Sequence, residues 1–215
     1  MSFFEYVSEN STRISFLFAQ HVQVVLISVG LATVVSILLA MATERLPKTR
    51  KVALSVTGTI LTIPSFALFG LMIPIFGLGV APTVLALTIY AVFPILRNAV
   101  TGLETVDASV VDAARGMGMG SRQRLWRIRL PLAWPVILNG IRVATIMVVA
   151  IAAIGAAVRG PGLGELIFRG LSRIGAANAL NEALAGVVAI VVVAAVLDVL
   201  FLIIGRVTTP RGLHA

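Results

Sequence analysis

The stretch that decides the fold is the first long apolar run, VQVVLISVGLATVVSILLAMA at residues 22–42. A helix needs about 20 apolar residues to cross a bilayer core of about 30 Å, so this run is long enough to span a membrane. In hydrocarbon every backbone N–H and C=O must be paired within the protein, and the run lacks the alternation of a half-buried strand. It therefore predicts a transmembrane helix.

Four further apolar stretches follow, at Val52–Phe76, Val80–Val100, Leu132–Val158 and Ala183–Arg206. Of the 215 residues, 59% are hydrophobic and only 12% are charged, whereas a soluble domain is about 25% charged. A water-soluble globule is excluded. The absence of cysteine also excludes a disulfide framework, a zinc finger and a cysteine nucleophile. We expect an all-α integral membrane protein with five spans.

The basic residues predict the orientation of these spans. With five crossings, twelve of the 17 lysines and arginines fall on one side: Arg45, Lys48, Arg50, Lys51, Arg97, Arg115, Arg122, Arg124, Arg127, Arg129, Arg206 and Arg211. The other side has Arg13, Arg159, Arg169 and Arg173, and Arg142 lies inside the fourth span. Because positive charge stays cytoplasmic, we expect the N-terminus outside a bacterial plasma membrane and the C-terminus inside.

The net charge of +8 would suggest a polyanion ligand in a soluble protein. Here the bases flank membrane spans, so we expect lipid contact and no nucleic-acid partner. The predicted organisation is an extracytoplasmic segment at 1–21, a membrane domain at 22–206 and a cytoplasmic tail at 207–215. The first segment holds Glu5 and Glu9 beside one base and has no apolar stretch, unlike a secretory signal.

Two connections are long enough to have structure of their own. Between the fourth and fifth spans, apolar residues recur at helical spacing from Leu163 to Ile174, which predicts an amphipathic helix, either a packed lid or an outer gate or docking surface. The connection from Thr101 to Pro131 lies on the cytoplasmic side. There Asp107 is predicted to cap a short helix at 108–117, and Ser121 to cap a second. Gly116, Gly118 and Gly120 separate the two helices, and Pro131 opens the fourth span.

This cytoplasmic connection contains DAARGMG, then nine residues, then IRLP. The pattern resembles the EAA loop of ABC importer permeases, at 112–131, with an aspartate where the family usually has glutamate. The resemblance implies that this loop couples the chain to an ATPase through Asp112, Ala113, Ala114, Gly118, Ile128, Leu130 and Pro131.

The resemblance extends from about residue 20 to residue 205. TIPSFALFGLMIP (62–74), YAVFPILRN (90–98), TGLETVD (101–107) and LPLAWPVILNGIR (130–142) are similar to the osmoprotectant branch, the permeases for glycine betaine, choline, carnitine and proline betaine. RGPGLG (159–164) resembles a glycine-rich family stretch but has Arg159 and Pro161 where small residues are common.

Membership of this branch implies a five-span transmembrane domain of a type I importer with cytoplasmic coupling helices. The implied partners are cytoplasmic ATPases, which hold ATP and Mg, a second permease subunit, identical or paralogous, and an extracytoplasmic solute-binding protein. The chain itself is expected to have no catalytic residue, cofactor or metal site. The glycine-rich GMGMGS (116–121) lacks the lysine of a phosphate-binding loop and is interpreted as a turn. Neither His21 nor His214 has a partner at ligand spacing.

Several residues within or beside the spans are candidates for the solute pathway or its gate. Pro64, Pro74, Pro94 and Pro135 are expected to interrupt or bend their helices, and Pro64 and Pro94 are gating candidates. Tyr90, Phe93, Phe66 and Phe69 either pack or contact a quaternary ammonium group. Arg142 and Asp198 either form a structural ion pair or line the pathway, and Arg159 belongs to the predicted outer gate.

The predicted function is the permease subunit of an ATP-driven importer for a compatible solute, working by alternating access. The same scaffold could carry an amino acid or another organic solute. A secondary carrier is the alternative from another class, but such carriers usually show internal repeats and ionisable relays, and no repeat is visible. A membrane scaffold without transport is the third alternative.

Overall fold

The structure is a computed structural model that describes residues 1–44 and 46–209. Within these ranges the chain is helical and has no strand. The helices are α1 Phe3–Glu9, α2 Ser11–Thr43, α3 Pro47–Leu61, α4 Ser65–Phe76, α5 Val80–Glu104, α6 Ala108–Gly116, α7 Ser121–Arg124, α8 Leu130–Ala152, α9 Gly164–Ser172 and α10 Ala179–Thr208. A π-helical turn at Leu125–Arg129 precedes α8, and a 3₁₀ segment at Ala153–Val158 follows it. Arg45, Arg211, His214 and most of the predicted tail lie outside the described residues.

The five predicted spans correspond to four continuous helices and one bent pair. The continuous ones are α2, α5, α10 and the helix from Ser121 to Val158. The predicted second span, Val52–Phe76, consists of α3 and α4, which meet at 98°. The prediction of an all-α membrane fold is confirmed, with its second span broken.

Pro64 accounts for the break between α3 and α4. It has no N–H and its ring crowds the preceding turn, and α3 closes just before it with short turns from Thr62 N–H to the Thr59 carbonyl and from Ile63 N–H to the Ile60 carbonyl. Pro74, Pro94 and Pro135 lie inside α4, α5 and α8 without ending them. Of the four prolines expected to interrupt or bend their helices, only Pro64 ends one.

The first span's helix begins at Ser11, well before the apolar run starts at Val22. Residues 1–21 form α1 and the first turns of α2. Ser2 and Glu5 cap α1 reciprocally, and these hydrogen bonds from Ser2 hold the pKa of Glu5 below its usual value. Tyr6 and Leu17 are buried in the bundle, so tertiary packing extends the helix beyond the hydrophobic pattern.

The core lies around α5, which packs against α8, α2, α3 and α4. Small residues bring these helices close together: a Cβ on Gly140 would lie 2.5 Å from Asn98 Cβ. Ser28 and Ser36 of α2 donate to the carbonyls of Val84 and Val92 on α5. By contrast, α10 keeps most of its apolar side chains on the surface of the chain.

The bundle has two distinct ends, which we name here. The loop end carries residues 105–129 between α5 and α8. The glycine end carries residues 153–164, which return the chain from α8 to α9, and also the start of α2 and the start of α10. Because successive spans run in opposite directions, every spanning helix connects these two ends.

Candidate functional site: the loop end and the gate candidates

The loop end begins with a capped helix, as the sequence predicts. Asp107 accepts a hydrogen bond from the Ser109 N–H at 2.8 Å, which satisfies a free donor at the start of α6. The same bond stabilises the carboxylate, so the pKa of Asp107 lies below its usual value. The local sequence therefore fixes where α6 begins.

A glycine turn reverses the chain after α6. Gly118 has a φ of +82°, in the region that favours glycine, and the Met119 N–H bonds back to the Ala114 carbonyl. Arg124 donates to the Met119 carbonyl at 2.6 Å and fastens the turn to α7. The predicted cap of α7 is shifted by one residue: Gly120 holds the N-cap position and Ser121 is the first helical residue.

The prediction that Pro131 opens the fourth span as a new helix is wrong. A π-helical turn joins α7 to α8, and the Leu130 N–H donates to the Leu125 carbonyl five residues back. Pro131 then lies in the first turn of α8, inside one continuous helix from Ser121 to Val158. The wider π turn relieves the crowding that a proline imposes on a preceding α turn. The loop is thus joined rigidly to a membrane span.

The motif residues divide between the surface of the loop and its interior. Asp112, Ala113, Gly118 and Pro131 are exposed, Ala114 is buried, and Ile128 and Leu130 are half-buried. Two large apolar side chains nearby, Met117 and Trp126, are 73% and 60% exposed. The loop end therefore displays an acidic group, small residues and unburied apolar side chains together.

Ion pairs at the base of the loop fasten it to the bundle, and the sequence analysis missed them. Arg129 pairs with Glu44 at the end of α2, and it also donates to the Leu103 carbonyl at 2.7 Å. Arg50 of α3 pairs with Glu104 at 2.8 Å. The available signal was the presence of opposite charges in two connections predicted to lie on the same side of the membrane.

Four of the gate candidates meet near the break between α3 and α4. The Tyr90 hydroxyl donates to the Ile63 carbonyl at 2.7 Å, and the ring is buried. Pro64 is the next residue after that carbonyl. Phe93 packs on Gly58 of α3, where a Cβ would lie 2.9 Å from the ring, and Pro94 follows it on α5.

The other two gate candidates lie elsewhere. Arg142 of α8 and Asp198 of α10 form a bidentate pair, with Nε–Oδ1 at 2.6 Å and Nη2–Oδ2 at 2.8 Å. Both side chains are partly exposed. A charge in a membrane span needs a partner, and each of these two supplies it for the other. Arg159 lies at the glycine end, in the left-handed region with φ 58° and ψ 28°.

The glycine end is packed through its glycines. A Cβ on Gly162 would lie 2.8 Å from His21 Nδ1, and one on Gly164 would lie 2.0 Å from the Ala153 carbonyl oxygen. The Gly79 N–H donates to the Val158 carbonyl at 2.8 Å, which joins the start of α5 to the same segment. The glycines of residues 159–164 therefore permit contacts with α2 and with the 3₁₀ segment after α8.

The predicted amphipathic helix is α9, and its packing confirms the periodicity. Leu163, Leu166 and Gly170 are buried, whereas Leu171 and Ile174 at the end of the stripe are exposed. An ion cluster holds α9 in place: Arg13 of α2 bonds to Glu165 at 2.8 Å and to Glu182 of α10 at 3.0 Å. Glu182 is nearly buried and also lies 3.5 Å from Arg169 of α9.

A bundle of long apolar helices, with one broken span and a loop fused to another span, is the architecture of an integral membrane protein. Comparison with known proteins identifies the family: the one described as "Binding-protein-dependent transport system inner membrane component" matches residues 15–211, and the chain belongs to it. The resemblance to the osmoprotectant branch is confirmed by curated relatives.

The osmoprotectant import permease protein OsmW of Salmonella typhimurium is 37% identical over 100% of both chains. The glycine betaine/carnitine/choline transport system permease protein OpuCB of Bacillus subtilis is 30% identical over 97% of this chain and 94% of its own. Among solved structures, the MetNI methionine ABC transporter is similar with a TM-score of 0.81, covering 92% of this chain and 96% of that chain, at 21% identity. This last similarity shows the fold.

Proposed function

We propose that this chain is the permease subunit of an ATP-driven importer for a compatible solute with a quaternary ammonium group, such as glycine betaine, choline or carnitine. The relatives that match almost end to end are named for the transport of these solutes, which supports the substrate class. The observation that carries the coupling mechanism is the loop end: an exposed, capped helix, α6, is connected by the glycine turn to α7, which continues without a break into a membrane span.

The first step is recognition of the loop by a cytoplasmic ATPase. The short α6 enters a groove on the ATPase with Ala113 outermost, and Asp112 pairs with a backbone or arginine donor there. Met117 and Trp126 supply apolar area at the edge of the contact. ATP and Mg are held by the ATPase, and this chain transmits motion.

The second step is transmission of that motion to the membrane. Displacement of α6 passes through the glycine turn to α7. It then reaches α8, because α7, the π turn and α8 are one helix. The pairs of Arg129 with Glu44 and of Arg50 with Glu104 move the ends of α2, α3 and α5 together with it. Changing the population ratio of two conformational states from 1:99 to 99:1 needs roughly 5.5 kcal/mol, which the ATPase supplies.

The third step is opening of the solute pathway at the glycine end. In this proposal the loop end is cytoplasmic and the glycine end is outside, in agreement with the basic residues around α6 and α7. The part of the pathway that changes shape is the bend at Pro64, where Tyr90 bonds to the preceding carbonyl. Phe93 and Pro94 lie next to it. The charged candidates lie apart from this group: Arg142 pairs with Asp198 between α8 and α10, and Arg159 lies at the glycine end.

The assembly has three further partners. A second permease subunit, identical or paralogous, covers the apolar side chains that α10 leaves exposed, and membrane lipid covers the rest. An extracytoplasmic binding protein delivers the solute, as the family description implies.

The test is uptake of radiolabelled solutes by cells that lack other import routes and express the chain with its ATPase and binding protein. Glycine betaine, choline and carnitine are compared with methionine and histidine. We expect energy-dependent accumulation of one or more of the first three, lost in Asp112→Ala and retained in Lys48→Gln, which removes an exposed charge outside the motif. Accumulation of only an amino acid would contradict the substrate class, and full uptake by Asp112→Ala would contradict the role of the loop.

A further inference from the structure

The four arginines predicted on the outer side line one open cleft at the glycine end. The cleft has a volume of about 750 Å³ and lies between the start of α2, the segment 156–161 and α9. Its arginines are Arg13, Arg159, Arg169 and Arg173, and Glu165 is the one acidic residue that the described part of the chain contributes to its lining. The cleft is therefore strongly positive, although this end of the chain carries few of the basic residues.

Two of these arginines have no acidic partner within the described ranges. Arg13 is neutralised by Glu165 and Glu182, and Arg169 lies near Glu182. No carboxylate of residues 1–44 or 46–209 pairs with Arg159 or Arg173, and both are exposed. The positive charge that the cleft offers to a ligand comes from these two residues.

The backbone holds Arg159 in place although its conformation is unfavourable. A non-glycine residue rarely adopts the left-handed region, and it persists there only where the surroundings impose it. Here the Arg159 N–H bonds to the Ala156 carbonyl, and the Gly160 N–H to the Gly155 carbonyl. Arg159 therefore occupies a backbone conformation that glycine would adopt without strain, and such strain is concentrated at functional sites.

We infer that this cleft docks carboxylate side chains on the solute-binding protein, with Arg159 and Arg173 as the principal contacts. The inference rests on the proposed function, which provides a protein partner on this side. Arginine is enriched at the centres of protein interfaces because its planar guanidinium binds carboxylates through two hydrogen bonds. The neighbouring Phe16 and Phe168 are exposed at the cleft and supply apolar contact area.

The shape and charge of the cleft favour a protein ligand over the transported solute. Sites for small molecules enclose most of the ligand in a mainly apolar pocket, whereas this cleft is open and lined by four cations. A zwitterionic solute of zero net charge would bring its ammonium group close to those cations. A protein surface that presents carboxylates has the complementary charge.

The experiment uses the assembled importer in nanodiscs and measures ATP hydrolysis as its solute-loaded binding protein is titrated. The readout is the binding-protein concentration that gives half-maximal stimulation, recorded separately from the maximal rate. Arg159→Gly removes the charge and relieves the backbone strain of the left-handed conformation. Arg159→Lys retains a positive charge, and Arg173→Gln tests the second contact. Lys48→Gln is the matched loss of one positive charge at the loop end.

We expect Arg159→Gly and Arg173→Gln each to raise the half-maximal concentration about tenfold. Arg159→Lys should show a smaller increase, and Lys48→Gln none. Raising the salt concentration should weaken stimulation of the wild type more than that of the variants, because screening acts on the charges they lack. The thermal midpoint of Arg159→Gly should equal or exceed that of the wild type.

An unchanged half-maximal concentration in both charge-removing variants would overturn the inference. So would a loss confined to the maximal rate, which would assign Arg159 to the gate. Binding of radiolabelled solute to the permease alone that disappears in Arg159→Gly would identify a solute site, and dependence of the effect on anionic lipid in the nanodisc would identify a lipid site. Absence of any stimulated ATP hydrolysis in the wild type would instead contradict the proposed function.

Discussion

Each end of the bundle has three glycines in alternate positions, and the two sets have opposite roles. Gly160, Gly162 and Gly164 at the glycine end all lie against other atoms, so that a Cβ would come within 2.0 to 2.8 Å of a neighbour. At the loop end, a Cβ on Gly116, Gly118 or Gly120 would have no neighbouring atom of the described chain within 4 Å. The first set permits close packing, and the second set contains the turn that needs a positive φ at Gly118.

The difference shows where the chain is packed by its own residues and where its backbone is open to a neighbour. At the glycine end, α2, α5, α9 and α10 are joined by backbone contacts and by the ion cluster around Glu182. At the loop end, Ala114 is the buried residue of helix α6, and Met117 and Trp126 are exposed. A substitution of a glycine should therefore affect stability at the first end and coupling at the second.

The largest expected effect is that of Gly164→Ala. The new methyl group would meet the backbone of Ala153, which cannot rotate away, so we expect a loss of about 3 kcal/mol or more in the free energy of unfolding. Gly116→Ala is the matched control, since its methyl group enters open space at the end of α6. Thermal unfolding of the detergent-solubilised protein compares the two, and equal midpoints would contradict the packing described for the glycine end.

The pair between Arg142 and Asp198 joins α8 to α10 between the two ends. Arg142→Met leaves an unpaired carboxylate within a membrane span, and we expect poor insertion or a lowered thermal midpoint. Adding Asp198→Leu removes both charges and should recover most of that stability. The double variant also measures function: recovered stability with lost uptake would place the pair in the solute pathway, whereas recovered uptake would make it structural.

Tyr90→Phe tests the hydrogen bond between Tyr90 and Ile63 at the broken span. It keeps the ring and removes the hydroxyl that donates to the Ile63 carbonyl. Because that carbonyl lies at the break, we expect a loss of about 1–2 kcal/mol in stability. Tyr90→Phe should also change the rate of uptake more than Phe93→Leu, which retains an apolar side chain at α3. Identical stability of Tyr90→Phe and the wild type would show that this hydrogen bond does not stabilise the protein.

Gly118→Ala has the smallest expected effect on stability and a large expected effect on coupling. Its methyl group meets no neighbour, so only the backbone strain remains, about 1 kcal/mol. We expect a nearly unchanged thermal midpoint together with reduced co-purification of the ATPase. Gly118→Asn should be milder, because asparagine tolerates the left-handed region. Normal co-purification of both variants would contradict the role assigned to the turn.

The parts of the structure that depend on local pattern could be predicted from the sequence. The apolar runs predicted the spans, the aspartate before α6 predicted its cap, and the alternate glycines predicted the turn. The continuity across Pro131 could not be predicted, because the local rule for proline indicates a helix start and the π turn that overrides it has no simple sequence pattern. The early start of α2 was missed since Leu17 is buried by tertiary contacts.

The charged residues were predicted only in part. Arg142 and Asp198 were expected to need partners because each lies in a span, and they turned out to be partners of one another. The pairs of Arg129 with Glu44 and of Arg13 with Glu182 connect residues far apart in the chain, so neither could be assigned without the fold. The convergence of four arginines on one cleft likewise depends on how α2 and α9 pack.

We propose that the loop end is bound by an ATPase that drives the permease. The most direct test is accumulation of radiolabelled solute by proteoliposomes containing the complete importer, with binding protein outside and ATP inside, compared with proteoliposomes that lack only the ATPase. We predict accumulation in the first and none in the second, and loss of accumulation when residues 108–119 are replaced by a flexible linker. Accumulation without the ATPase, or with the loop replaced, would contradict coupling through the loop end.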